Sequence, residues 1–232
     1  MNIALSMSWF QELQDQFYRN FLTDEALHLI WGGLQNTLVI FVCGAIWAFV
    51  LGTFLSYLHI NHKWQWLYRP LHWFVATIHD VPAVVLMMFF YYVVFTGSMN
   101  GVFVSIIALG VYTSGSLERI FNIHIKQIGK EQYETGRMLG FTPKQIYRLI
   151  ILPQAARIII PLATGELKVL LRATSYAGYI AQKDLVKAVD AIRAQTFDAF
   201  IPLLFVSLLY LALSWMIVRS VKMLCSKLFQ HD

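Results

Sequence analysis

Apolar residues in this chain fall in long blocks separated by short polar stretches. Five blocks approach the roughly 20 apolar residues that a helix needs to cross a ~30 Å hydrocarbon core. They run from about Leu29 to Leu58, Leu71 to Phe95, Val102 to Phe121, Ala155 to Leu171 and Phe200 to Val218. The second contains Asp80 and Pro82, and the fourth is interrupted by Glu166 and Lys168. Ahead of the first block, Trp9, Leu13, Phe17 and Phe21 recur every four residues. That spacing predicts a helix with one apolar face, lying in the membrane interface or packed on the bundle. The start lacks a basic segment, and Gln11-Glu12-Leu13-Gln14-Asp15 interrupts any signal-like apolar run, so no cleavable signal peptide is predicted.

Composition agrees with the pattern. Of 232 residues, 58% are hydrophobic and 13% charged, against about 25% charged in a soluble domain. This excludes a disordered chain, a disulfide scaffold and a nucleic-acid reader, and leaves little room for a soluble enzyme. The predicted class is an all-α integral membrane protein. Cys43 and Cys225 lie far apart and suggest neither a disulfide nor a metal site.

Loop charges orient the bundle, because basic residues gather on the cytoplasmic side. The N-terminal segment holds Glu12, Asp15, Asp24 and Glu25 against Arg19, which places it outside. Lys63 and Arg69 place the first loop inside, and the uncharged turn near Thr96 to Gly101 goes outside. The stretch from Arg119 to Arg157 carries seven bases against Glu131 and Glu134, hence inside. The balanced stretch from Arg172 to Asp198 goes outside, and Arg219, Lys222 and Lys227 place the tail in the cytoplasm. The expected organisation is an N-terminal extracytoplasmic or interfacial segment over 1–28 and a membrane domain over 29–219. A cytoplasmic loop occupies about 122–157, and a cytoplasmic tail 220–232. Neither G-x-x-x-x-G-K-[ST] nor H-E-x-x-H occurs. If ATP drives the process, another chain hydrolyses it.

The long cytoplasmic loop is patterned. Glu131 to Leu139 reads as a short helix that Gly140 closes at positive φ. Thr142, Pro143 and Gln145 supply an N-cap, a first-turn proline and a capping box. A second helix then runs from Ile146 to Leu152, with Pro153 stopping or kinking it. Two capped helices joined at a glycine make a rigid knuckle suited to transmitting force.

These residues carry a resemblance. Gln132-Tyr133-Glu134-Thr135-Gly136, Leu139-Gly140 and Ile151-Leu152-Pro153-Gln154-Ala155, followed by Arg157 and Pro161, resemble the EAA loop of ABC-importer permeases. The closer resemblance is to the polar amino acid permease family of the histidine, lysine, arginine and glutamine type. Thr135 and Gly136 depart from the family's two alanines; Gly136 weakens the helix by up to ~1 kcal/mol and opens room for close approach of a partner. Gly33-Leu34, Thr37-Leu38, Pro82 and Thr174-Ser175 extend the similarity over most of the chain.

The resemblance implies a type I importer permease in a bacterial inner membrane. It implies two ABC ATPase subunits that carry ATP and Mg²⁺, a second permease copy or a sister permease, and an extracytoplasmic solute-binding protein. No cofactor is expected on this chain, and no nucleic acid as partner. Gln132, Glu134, Arg137, Leu139, Gly140 and Phe141 become the expected ATPase-docking residues. Glu166 and Asp80 are costly inside a span and so are expected to face a cavity or partner. With Thr164, Thr174 and Ser175 they are candidates for the substrate path. Rival roles stand beside these: a Glu166 ion pair with Lys168 or Arg172, and a His79–Asp80 pair. The rival function is an ion-coupled secondary amino acid carrier using Asp80 and Glu166.

Overall fold

The computed structural model describes residues 11, 14–22, 24–180 and 182–229, and the described residues are helical almost throughout. A short helix α1 covers 14–21. Helix α2 is Asp24–Ile60, followed by a 3₁₀ turn His62–Trp64 and α3, Gln65–Asp80. Helix α4, Ala83–Phe89, runs into a π-helical turn, Phe90–Val94. Helix α5 is Gly101–Met138 and α6 is the single turn Pro143–Gln145. A π-helical segment, Ile146–Ile151, leads into α7, Leu152–Ala173, and a 3₁₀ segment, Thr174–Ile180. Helix α8 is Leu185–Thr196 and α9 is Phe200–Phe229.

Four helical runs are long and apolar enough to cross a membrane: α2, the first 29 residues of α5, the run Pro143–Ile180, and α9. The predicted second span is instead two helices, α3 and α4, bent by 114° at Val81-Pro82. Pro82 offers no N–H and disfavours helical geometry at the residue before it. Val81 accordingly takes ψ 136° and Pro82 ψ 130°, and Leu86 N–H restarts the ladder on Pro82 C=O at 3.0 Å. Segment ends also move. α2 begins at Asp24, ahead of the first apolar block, and α9 continues as helix through the tail to Phe229.

α5 is the centre of the bundle. Of its most apolar stretch 61% is buried, against 17% for α9, whose outer surface is suited to lipid. Ile40, Met87, Val104, Leu109 and Leu170 are buried where α2, α4, α5 and α7 meet. A second layer, Ala48, Leu117, Phe121 and Ala163, lies nearer the knuckle. Gly52 lets α2 approach α5, since a Cβ there would stand 3.0 Å from Leu117 Cβ.

At the other end α8 folds across the bundle. Both oxygens of Asp184 cap it, accepting from Val186 and Lys187 N–H at 3.2 and 3.1 Å, while Leu185 N–H donates to Thr37 Oγ1 at 3.1 Å. Burial pushes the Asp184 carboxyl up to about 6 although its backbone donors and Lys187 oppose the shift. Phe21 of α1 packs on Ile192, Ile201 and Phe205, so the described part of that helix packs on the bundle, while Phe17 is exposed. Trp9 and Leu13 lie outside the described residues.

Candidate functional site

The knuckle is built by helix ends. The predicted short helix Glu131 to Leu139 is the last two turns of α5, continuous with the span; Gly129 and Gly136 both fall inside the helix, but no proline interrupts it between Phe121 and Met138. Gly140 takes φ 81°, Phe141 N–H donates to Gly136 C=O at 3.1 Å and Gly140 N–H to Arg137 C=O at 3.0 Å. This is a Schellman closure. Two residues on, Thr142 N–H donates to Gln145 Oε1 at 2.9 Å, as the capping box predicts. Pro153 neither stops nor breaks the second arm. The helix passes through the π-turn Ile146–Ile151 into α7, and the missing N–H of Pro153 falls where the wider turn already interrupts the usual ladder. Both arms of the elbow are therefore rooted in membrane-crossing helices.

Gly136 serves this chain. A Cβ there would lie 2.7 Å from Cγ1 of Ile146, which is fully buried. The room expected for a partner is taken up by packing between the elbow's two arms. Of the predicted docking residues, Gln132 is half-buried, whereas Glu134, Arg137, Leu139, Gly140 and Phe141 are exposed on one tip. Met138, which sequence reasoning missed, is 86% exposed beside Leu139 and Phe141. Its signal was an unexplained apolar residue in a charged loop. The tip is an apolar patch edged by Glu134, Arg137 and Lys144.

The path candidates divide. Thr164 and Thr174 are buried, and their hydroxyls donate to Ile160 and Leu171 C=O at 2.8 and 2.7 Å. Ser175 is half-buried and donates to Arg172 C=O at 2.7 Å. Asp80 is exposed at the end of α3, directly before the bend. His79 does not pair with it; His79 Nε2 lies 2.6 Å from Ser116 Oγ and its ring 4.9 Å from that of Tyr112. Glu166 is half-buried within electrostatic reach of Tyr112 and, among the described residues, forms no ion pair with Lys168 or Arg172. Asp80, His79, Tyr112 and Glu166 thus follow one another across α3, α5 and α7, while Thr174 lies apart, 3.5 Å from the Tyr210 hydroxyl of α9. No cluster able to hold a metal ion occurs among the described residues.

Sequence reasoning also passed over Glu118, an acid inside the predicted third span. It is 3% exposed and accepts from the Tyr68 hydroxyl at 2.8 Å and from Asn122 Nδ2, with His72 Nδ1 3.4 Å away. Asn122 Oδ1 accepts in turn from the Ser56 hydroxyl at 2.6 Å. The network ties α2, α3 and α5 together on the knuckle side of the bundle.

Comparison with known proteins places this arrangement. The solved structure of an amino acid ABC transporter with histidines superposes with a TM-score of 0.74 at 21% identity, over 85% of this chain and 93% of that one. An inward-facing MetNI methionine ABC transporter gives 0.71 at 20% identity, over 87% and 97%. The fold is that of type I ABC importer permeases. The probable glutamine ABC transporter permease protein GlnM of Bacillus subtilis is 30% identical over 188 residues, covering 78% of this chain and 85% of GlnM. The histidine/lysine/arginine/ornithine permease protein HisM of Escherichia coli K12 is 25% identical over 86% of this chain and 88% of HisM. Residues 40–228 match the family model of binding-protein-dependent transport system inner membrane components. The chain belongs to that family of multi-pass inner-membrane permeases.

Proposed function

We propose that the chain is the permease subunit of an ATP-driven importer for polar amino acids, with glutamine and the basic amino acids as the substrate class. The supporting observation is the elbow: an exposed apolar tip whose two arms continue rigidly into α5 and α7. Gln132, Glu134, Arg137, Leu139, Gly140 and Phe141 seat in a cleft of a separate ATPase subunit, which carries ATP and Mg²⁺. The relatives' printed substrates, glutamine and histidine/lysine/arginine/ornithine, support the substrate class. A second copy or a sister permease closes the path, and a solute-binding protein delivers substrate to the end opposite the knuckle, the extracytoplasmic side by loop charge. Glu166 and Asp80 face the path, where a carboxylate meets the ammonium group of an amino acid; Ser175 borders it, and Thr164 and Thr174 hold the backbone behind it. The ATPases bias a two-state element between outward and inward access.

The test is uptake into vesicles loaded with ATP that contain the permease, its ATPase and its binding protein. Labelled glutamine or arginine should accumulate whether or not a protonophore is present. Gly140→Asp should abolish uptake while leaving membrane insertion intact. Full uptake by that variant overturns the docking assignment, and arrest by the protonophore revives the ion-coupled carrier.

A further inference from the structure

Where α2 ends and α3 begins, against the knuckle-side half of α5, two adjoining cavities open. The larger holds about 600 Å³, with His59, Gln65, Arg69 and Lys126 as its polar lining. The smaller, about 240 Å³, shares His59 and Lys126 and adds Arg119 beside the Glu118 network. Arg69, Arg119 and Lys126 are exposed, and none pairs with a carboxylate among the described residues. The carboxylate in the wall, Glu118, is engaged by Tyr68 and Asn122 with His72 beside it. Three cations against the single buried carboxylate of Glu118 leave this concave surface net positive, which favours an anion.

Depth says which anion. At 1.5 Å per residue Lys126 lies about 37 Å along α5 from Gly101. That is past a ~30 Å hydrocarbon core and within the roughly 40–45 Å that includes the headgroups. Trp64 and Trp66, which flank the cleft at the start of α3, are 42% and 70% exposed, as aromatic anchors at headgroup level are. Ile60 and Ile125 add apolar lips to the same cleft. A soluble anion has no use for those lips, whereas a lipid's glycerol and first methylenes do.

We propose that this cleft binds the phosphate headgroup of an anionic membrane phospholipid, with Arg69 and Lys126 as phosphate ligands and Arg119 behind them. The site lies at the joint of α2, α3 and α5, so an occupied cleft braces the same three helices that Glu118 ties together.

Native mass spectrometry tests it on the full chain, purified in mild detergent with whatever subunits accompany it. The probes are phosphatidylglycerol, phosphatidylcholine and inorganic phosphate. The wild type should retain phosphatidylglycerol over phosphatidylcholine. Arg69→Gln with Lys126→Gln should lose that preference by about fivefold per cation removed. Arg69→Lys with Lys126→Arg should keep it. Arg219→Gln with Lys222→Gln removes as much charge from the same end of the bundle, on α9 and away from the cleft, and should also keep it. If the neutralised pair fails to fold, Lys126→Gln alone should still show the single-cation loss. Equal losses in both neutral pairs mean diffuse charge attraction and overturn the site. No preference in the wild type also overturns it, as does inorganic phosphate displacing the lipid, which marks a soluble-anion pocket. Loss of ATPase co-purification from the Arg69/Lys126 pair with lipid retention intact makes the cations a protein contact, and likewise overturns it.

Discussion

Single residues in this protein are best understood by what they would leave behind. Glu118 is an acceptor for two buried donors, so its removal strands Tyr68 and Asn122 together, while His72, 45% exposed, can turn to water. An unsatisfied buried polar group costs about 1–3 kcal/mol. Glu118→Ala should therefore lower the thermal midpoint in detergent markedly, whereas Glu118→Gln, which still accepts from Tyr68, should lower it by a fraction of that. Asp184 has the opposite logic. Burial raises its pKa from 3.8 to about 6, so between about pH 4 and pH 6 the folded state binds the proton that the unfolded state has released. The stability that the protonated acid contributes is present below that window and lost as pH rises through it. Asp184→Asn should abolish that decline when unfolding is followed from pH 4 to pH 7, leaving other groups' slopes in place.

At the scale of elements, the knuckle's geometry follows from two glycines with different reasons. Gly140 needs its positive φ. An Asn there tolerates the left-handed region, whereas Ala carries a cost of roughly 1 kcal/mol. Gly140→Asn should keep more ATP-driven uptake than Gly140→Ala, measured at equal membrane abundance. Gly136 needs space against Ile146. Gly136→Ala gains up to ~1 kcal/mol of helix propensity but forces Ile146 aside. Combining it with Ile146→Ala relieves the clash, so the two substitutions should destabilise less together than the sum of their separate effects in a double-mutant cycle.

Much of this was legible along the chain. Gly140, Thr142, Pro143 and Gln145 announced the elbow because caps are local chemistry. The apolar blocks located the spans because a bilayer demands length. Local signals were weaker where two segments had to meet. Nothing beside Gly136 in sequence points to Ile146, ten residues on, and nothing beside Glu118 points to Tyr68, fifty residues earlier. Pro153 misled for a related reason: a proline cannot tell whether a π-turn ahead of it will absorb the lost hydrogen bond. Pro82 stood within the second apolar block, but the 114° bend there depends on how α3 and α4 pack against α5.

The molecule as a whole is organised around α5. It is one unbroken helix of 38 residues from the turn at Asn100 to the knuckle, gripped part-way along by Gly52 against Leu117 and by the Glu118 network. From that grip the rod reaches about 30 Å to Met138 and about 25 Å to Gly101. Arms of nearly equal length make a first-class lever. A push of a few ångströms on the tip returns as a swing of similar size, in the opposite direction, at the far membrane face. One rod on one fulcrum can then open one face as it closes the other, and softening the fulcrum should let both ends move independently and leak.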